Sequence, residues 1–598
     1  MRSQEIEKKS KIKFCHIRNF FESQKYLSTL NILAALLILP FFTTTFSDIK
    51  HNIANYIPSW DEYYYQSIFN KNKNFSNIGT SYVQLLSEEP KKLSLTFLGE
   101  TIENIFYKIS GGNIAFTYYF FSYIFLILWI YLIKNLIENK NNIHKYKSLM
   151  ITIVLLFVFY SNYRLIEDLN YPFARIMHPQ ASVAIWLLGI LLIAKIIETE
   201  STKQIIAFSS LLFISSFSYF YVFLALLSSN LILIIYLFKK GLRKKILISL
   251  IFGSIATIPF LILNLKKTLD IGDYEALERM GLISYRYPGS LTNLIVCGLI
   301  ILAISLKCMY FGQKKSISSK ELTLVITCVG LIIASQSNTI TNREIQFYHF
   351  TFLASVNLMI FLGVIIYGLN FKSLKKKSVM MRHKLPRDYF ILPVLTISLI
   401  YSTNSIWKPV FTEWRAGIPV LTDINKIIKN KNVIVDNLNV QNSLSIYEST
   451  NILYNRVIAA NGYTNKEVFE RAYVSSGCPN EVTKLFISNI FVYRVSGLEQ
   501  KARSLKRMAE YLNLESQFAF IYEPVIIKSK LQNAKVLKEI SEYKKQIDRY
   551  DCLTAAKNLK INTIIFDELS YWNKIGKNSN LRKEKIRFGD IVLYYYKI

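Results

Sequence analysis

The chain has 598 residues, 51% of them hydrophobic and 14% aromatic, with a formal net charge of +31. That apolar content exceeds what a soluble chain of this length carries and points to a membrane protein. The positive charge does not indicate nucleic acid as the partner. Much of it sits in short loops beside apolar runs, where anionic membrane lipids are the nearest partner.

The first 26 residues, "MRSQEIEKKSKIKFCHIRNFFESQKY", are polar and do not read as a cleavable signal, so the first apolar helix is expected to stay in the mature protein. Apolar runs approaching the roughly 20 residues that cross a hydrocarbon layer predict eleven spans. They lie near 27–46, 113–134, 149–163, 180–197, 204–218, 219–238, 246–263, 291–309, 321–336, 348–369 and 389–404. The stretch 204–238 has no charged separator, so the cut between the fifth and sixth spans decides the parity of the count.

The N-terminal tail, "KNLIENKNNIHKYK", "KKGLRKK", "GQKKSISSK" and "KSLKKKSVMMRHKLPR" are alternate loops if eleven spans are counted. Their Lys and Arg excess places them, with the N-terminus, on the cytoplasmic side. The loops near 47–112, 164–179, 264–290 and 337–348 then face outward, as does everything beyond residue 405. The expected home is the plasma or inner membrane.

Beyond 405 the pattern changes. "KNVIVDNL", "NTIIFDEL" and "FGDIVLYYYKI" read as short strands, while "NKEVFERAYV", "GLEQKARSLKRMAEYLN" and "VLKEISEYKKQIDRYDCLTAAKNL" read as amphipathic helices. The predicted fold class is therefore mainly α: a polytopic membrane helical bundle of about 11 spans over 27–405, followed by an extracytoplasmic α/β domain over 406–598. Cys478 and Cys552 fall in that outer domain. They read either as a disulfide in an oxidising compartment or as two unrelated buried thiols.

The outer loops concentrate the chemistry. "NYIPSWDEYYYQSIF" holds the adjacent acids Asp61 and Glu62 about 15 residues after the first span. "LSLTFLGETIENIFYKI" further along that loop has amphipathic helical spacing suited to the membrane surface. Glu167, Asp168, Arg175 and His178 lie in "RLIEDLNYPFARIMHPQ", Arg286 in "SYRYPGS", and Arg343, Glu344 and His349 in "QSNTITNREIQFYHF".

Guanidinium groups bind phosphate oxygens in bidentate fashion, and a neighbouring carboxylate suits general-base work on a hydroxyl. Taken singly, each of these residues also reads as structure. Asp61 and Glu62 suit the first turn of a helix beginning "WDEYYYQSIF", and a lone Arg or His at a helix end caps or snorkels.

Many spans, an inside N-terminus, an acidic pair in the first outer loop and an outer C-terminal domain together resemble the GT-C superfamily of integral membrane glycosyltransferases. Asp61 and Glu62 are the most specific residues in the likeness, because protein O-mannosyltransferases carry a similar pair in that loop. The chain departs from those relatives in lacking MIR-type repeats, and it has no "WWD" signature of oligosaccharyltransferases.

The resemblance implies a polyprenyl-phosphate-linked sugar as donor, used from the outer leaflet with inversion at the anomeric carbon. The acceptor would be a glycan, lipid or protein. Asp61 would be the base, and Glu62 would orient the acceptor or help bind a metal. Arg175, His178, Arg286, Arg343 and His349 would hold the departing lipid phosphate. Glu167, Asp168 and Glu344 are further acceptor or metal candidates, for Mg²⁺ or Mn²⁺, in a superfamily some of whose members need no metal.

Two alternatives stand beside this reading. One is a transporter of lipid-linked or anionic polysaccharide, which predicts mid-membrane charges and inverted repeats. The other is a ligase or polymerase of lipid-linked glycans, which does not call for the acidic pair.

Overall fold

The computed structural model describes residues 105–138, 145–161, 181–218, 220–269, 291–311, 317–337 and 348–368, and in the C-terminal part 431–436, 451–454, 464–479, 534–546, 551–579, 581–588 and 591–598. A few isolated positions, Glu275 among them, are also described. Within these residues the chain is mainly helical with one small sheet.

The helices of the first part are α1 (Ile114–Ile137), α2 (Lys145–Ser161), α3 (Ser182–Thr199), α4 (Thr202–Ser216), α5 (Phe220–Lys239), α6 (Arg243–Leu269), α7 (Leu291–Phe311), α8 (Ser319–Ser335) and α9 (Tyr348–Gly368). Nine predicted spans fall on them, and the other two, near 27–46 and 389–404, lie outside the described residues. Among the described residues, four stretches are long and apolar enough to cross a membrane: Ser182–Thr199, Phe220–Lys239, Thr292–Tyr310 and Phe350–Gly368.

The unseparated run 204–238 makes two helices, because the first stops at Ser216. There the Ser215 and Ser216 hydroxyls donate back to the carbonyls of Leu212 and Phe213, each at 2.7 Å, which favours leaving the helix.

A single apolar core runs through the bundle, with Trp129, Trp186, Phe208 and Phe223 fully buried. On α7, by contrast, Ile295, Leu299, Leu302 and Leu306 form an outward stripe at spacings of four, three and four, an arrangement suited to lipid. α5 and α8 meet with their backbones close: a Cβ on Gly330 would lie 2.7 Å from the Ser229 nitrogen and 2.8 Å from its Cα. Small residues at such a crossing let membrane helices gain dispersion contacts that lipid cannot replace.

One end of the bundle is tied together by polar contacts. Ser318 and Glu321 form a capping box at the start of α8, and Glu321 also takes an ion pair from Lys307 near the end of α7. Lys320 donates to the carbonyl of Glu138 at the end of α1, and Ser319 to Glu198 near the end of α3 at 3.1 Å. Lys240, just past α5, faces Glu200, just past α3, at 4.0 Å. The ends of α1, α3 and α7 therefore meet the start of α8, and the end of α5 lies beside that of α3.

α9 runs alongside α1, since Phe352 meets Trp129 and a Cβ on Gly363 would strike Ile137. Its first turn meets that of α5 through Phe350 and Tyr221, whose ring centroids are 5.4 Å apart. Hence α1, α3, α5, α7 and α9 share one direction, and their first turns lie at the opposite end.

The C-terminal sheet comprises β1 (Asn432–Asp436), β2 (Asn451–Ile452), β3 (Thr563–Asp567), β4 (Glu584–Phe588) and β5 (Ile591–Lys597), in the order β2-β1-β3-β5-β4. β1 is parallel to β2 and β3, and β5 is antiparallel to β3 and β4. Val433 and Val435 pack into one apolar cluster while Ile434 joins another, so β1 is buried on both faces.

Helix α10 (Asn465–Ser475) begins with a second capping box, Thr464 with Glu467. Behind the sheet lie α11 (Cys552–Asn558) and α12 (Tyr571–Asn578). A disulfide joins Cys478 to Cys552 with the Cα atoms 5.8 Å apart, which selects the paired alternative.

The sequence pattern over 536–559 reads as one helix, but residues 534–546 and α11 are separate. Asp551 caps the second, accepting from the Thr554 nitrogen at 2.8 Å, and an N-cap residue has non-helical backbone. The expected helix in "GLEQKARSLKRMAEYLN" lies largely outside the described residues.

Candidate functional site

Asp61, Glu62, Glu167, Asp168, Arg175, His178, Arg286, Arg343 and Glu344 lie outside the described residues. His349 is the second residue of α9. The described parts are therefore the helices that these residues precede. α1 is entered after the segment 47–112 with Asp61 and Glu62, α3 after the segment with Arg175 and His178, α7 after Arg286, and α9 after Arg343 and Glu344.

Among the described residues, the stretch before α1 is helical over 105–109 and stops at Gly111 and Gly112, whose φ values of 73° and 80° suit glycine. Asn113 then caps α1, its side chain accepting from the Phe116 nitrogen at 2.8 Å. The chain thus turns sharply before it enters the bundle.

A buried polar network lies within a few turns of the first residues of α3 and α9. Asn357 Oδ1 accepts from Trp186 Nε1 at 3.3 Å, and Asn357 Nδ2 donates to Thr327 Oγ1 at 3.1 Å and meets Cys328 Sγ at 3.5 Å. Trp186, Thr327, Cys328 and Asn357 are all fully buried, and they belong to α3, α8 and α9.

The second constellation was not singled out from the sequence. Asp436 and Asp567 end the adjacent parallel strands β1 and β3, with Asp436 in register with Phe566. They stand where the strand order reverses, since β1 has β2 on one side and β3 on the other. The hydroxyl of Ser570, N-cap of α12, donates to Asp436 and accepts from the Trp572 nitrogen at 3.1 Å. Asp567 accepts from the Leu569 nitrogen at 3.0 Å.

Burial pushes the Asp436 carboxyl up to about 6, against the Ser570 hydrogen bond, and the charge of Asp567 adds to the rise. Both strands end alike in sequence, as "VIVD" and "IIFD", which by itself does not pair them. Among the described residues, no group of three His, Cys, Asp or Glu could hold a metal, so this pair has no third ligand there.

Among the described residues, a contact joins the two parts of the chain. The Asn465 backbone nitrogen, at the start of α10, donates to the carboxylate of Glu275, which lies between α6 and α7. An anionic side chain at a helix start complements the orphan N–H groups and the positive end of the helix dipole.

No family model matches the chain, and neither does any curated protein. Among solved structures it is similar to the archaeal oligosaccharyltransferase AglB from Archaeoglobus fulgidus, in complex with an inhibitory peptide and a dolichol-phosphate. Identity is 14% and the TM-score 0.32, over 92% of this chain and 70% of that one. A likeness at this TM-score places no site residue and assigns no activity.

Proposed function

We propose that the chain is a membrane glycosyltransferase that moves a sugar from a polyprenyl-phosphate donor to a glycan, lipid or protein acceptor at the outer face, with inversion. Asp61 takes the proton of the acceptor hydroxyl, and the acceptor oxygen attacks the anomeric carbon from the side opposite the leaving group. The bond from that carbon to the phosphate oxygen breaks, and the phosphate departs with the electron pair. Arg175, His178, Arg286, Arg343 and His349 stabilise the charge it carries away, and Glu62 orients the acceptor. Glu167, Asp168 and Glu344 offer oxygen ligands should a divalent ion take part.

The observation that supports this reading is directional. α1, α3, α7 and α9 start at the same end of the bundle, and each is entered from a segment holding candidate residues. Four separate stretches of sequence thus feed one face. Helix starts favour anions there, through unpaired N–H groups and the aligned dipoles, in keeping with a phosphate-bearing donor.

The test is transfer by the purified full-length protein. Radiolabelled polyprenyl-phosphate sugars are supplied one at a time with membrane extract as the acceptor source. One donor should lose its label to an acceptor only when the protein is present. No protein-dependent transfer from any donor, with the protein folded, would refute the proposal.

A further inference from the structure

We infer that Asn357 is a positioning residue: its buried hydrogen bonds fix the register of α9 against α3 and α8, and so set where the first turns of α3 and α9 stand relative to each other. The inference rests on the functional reading above for its consequence, since these two helix starts flank the face assigned to the lipid phosphate.

The geometry singles this residue out. Asn357 lies nine residues into α9, about 12–14 Å along the axis from its first residue. Trp186 lies four residues into α3. A slide of one helix past the other would break the bond between them, because both side chains are fully buried and no water can replace either partner.

Both ends of the amide are used. Its oxygen takes the indole N–H of α3, while its nitrogen donates to the hydroxyl of Thr327 on α8 and approaches Cys328. The Thr327 hydroxyl is itself anchored, donating to the carbonyls of Thr323 at 3.0 Å and Leu324 at 3.2 Å. One side chain therefore spans three helices, with directional bonds in an otherwise apolar layer.

Apolar packing alone does not supply this. Leucine and isoleucine surfaces tolerate small axial shifts at little cost, whereas a hydrogen bond is lost over about 1 Å. Interhelical bonds of this kind add little stability beside the packing around them. Their effect is to choose one register among several of similar packing energy, the role that single buried polar residues play in coiled coils.

The experiment uses full-length protein in lipid nanodiscs, with Trp186→Phe, Asn357→Leu and the double variant. Three quantities are measured: amide exchange along the helices, the thermal midpoint, and the dissociation constant for a polyprenyl monophosphate. Either single change should speed exchange in the first turns of both α3 and α9 and leave α4 and α6 as they were. Binding of the polyprenyl monophosphate should weaken about three- to tenfold, the factor that one hydrogen bond between membrane helices supplies.

The double variant should bind no worse than Asn357→Leu, because both changes remove the same bond. Trp186→Phe keeps an aromatic ring in the core and decides the matter if Asn357→Leu does not fold. Exchange that rises only in the helix carrying the change, rises uniformly with a lower midpoint, or does not rise at all overturns the inference. If wild-type protein binds no polyprenyl monophosphate while both helix starts still respond together, the functional reading fails and the register role stands.

Discussion

At the scale of single residues, two carboxylates make opposite demands on their surroundings. Asp61, in the proposed role of base, must be charged. Asp61→Asn keeps the volume and the capping ability but cannot take the proton, so transfer should fall by about 10²-fold or more with folding intact. A purely capping Asp61 would tolerate Asn, and the transfer assay separates the two. Asp436 is held toward its neutral form instead. With the ordinary value at 3.8 and the folded one at about 6, the folded state binds more protons than the unfolded one between those values. Its contribution is therefore favourable at low pH and is lost as pH rises through that window, by on the order of 2–3 kcal/mol. Asp436→Asn should flatten this dependence and make the sheet more stable than wild type at pH near 8, measured as the urea midpoint by tryptophan emission. A variant that is less stable at every pH would refute it. Asp436 was not legible as special in the sequence, because "VIVD" looks like any strand followed by a turn, and only the pairing of β1 with β3 brings Asp567 beside it.

At the scale of elements, legibility followed the length of the apolar signal. The helices from α1 to α9 could be located from apolar runs, since a bundle of this kind is apolar on nearly all sides and the breaks between runs are charged or polar. β4 was not found. "EKIRF" carries charge at three of five positions, and it lies at the edge of the sheet, where charged residues such as the exposed Lys585 discourage pairing with another chain. The split at Asp551 was missed for a related reason, as helical spacing on either side of an N-cap runs on unbroken in sequence. The crossing of α5 and α8 gives an element-scale prediction. Gly330→Ala would drive a methyl group against the backbone of Ser229, which cannot rotate away, and should cost about 1–3 kcal/mol. Gly298→Ala meets nothing within 4 Å and should be nearly neutral or slightly stabilising. The thermal midpoint in detergent checks both, and equal effects would show that the close approach does not matter.

For the whole molecule, loop charge and helix direction are independent observations that can be set against each other. The polar ties at the end of the bundle join Glu138, Glu198, Glu200, Lys240, Lys307 and Lys320, which border four linkers of the first part. Reporter fusions after residues 145, 242 and 380 should read cytoplasmic, and fusions after 170, 275 and 450 should read outside. An inside signal at 450 would separate the sheet from the face that Glu275 borders and would contradict the Asn465 contact as well.

The strand order also has a consequence for biosynthesis. β1 waits for β3, whose partner residues come 130 positions later, and β3 in turn is flanked by β5. Until β3 and β5 have been synthesised, Val433 and Val435 have Ile424, Ile428, Val440 and Leu444 to pack on but lack Ile565, Leu593 and Tyr595. Completion of this sheet thus waits on strands far along the chain. A stop codon removing the last 40 or so residues would leave the bundle helices encoded in full and the sheet without its centre.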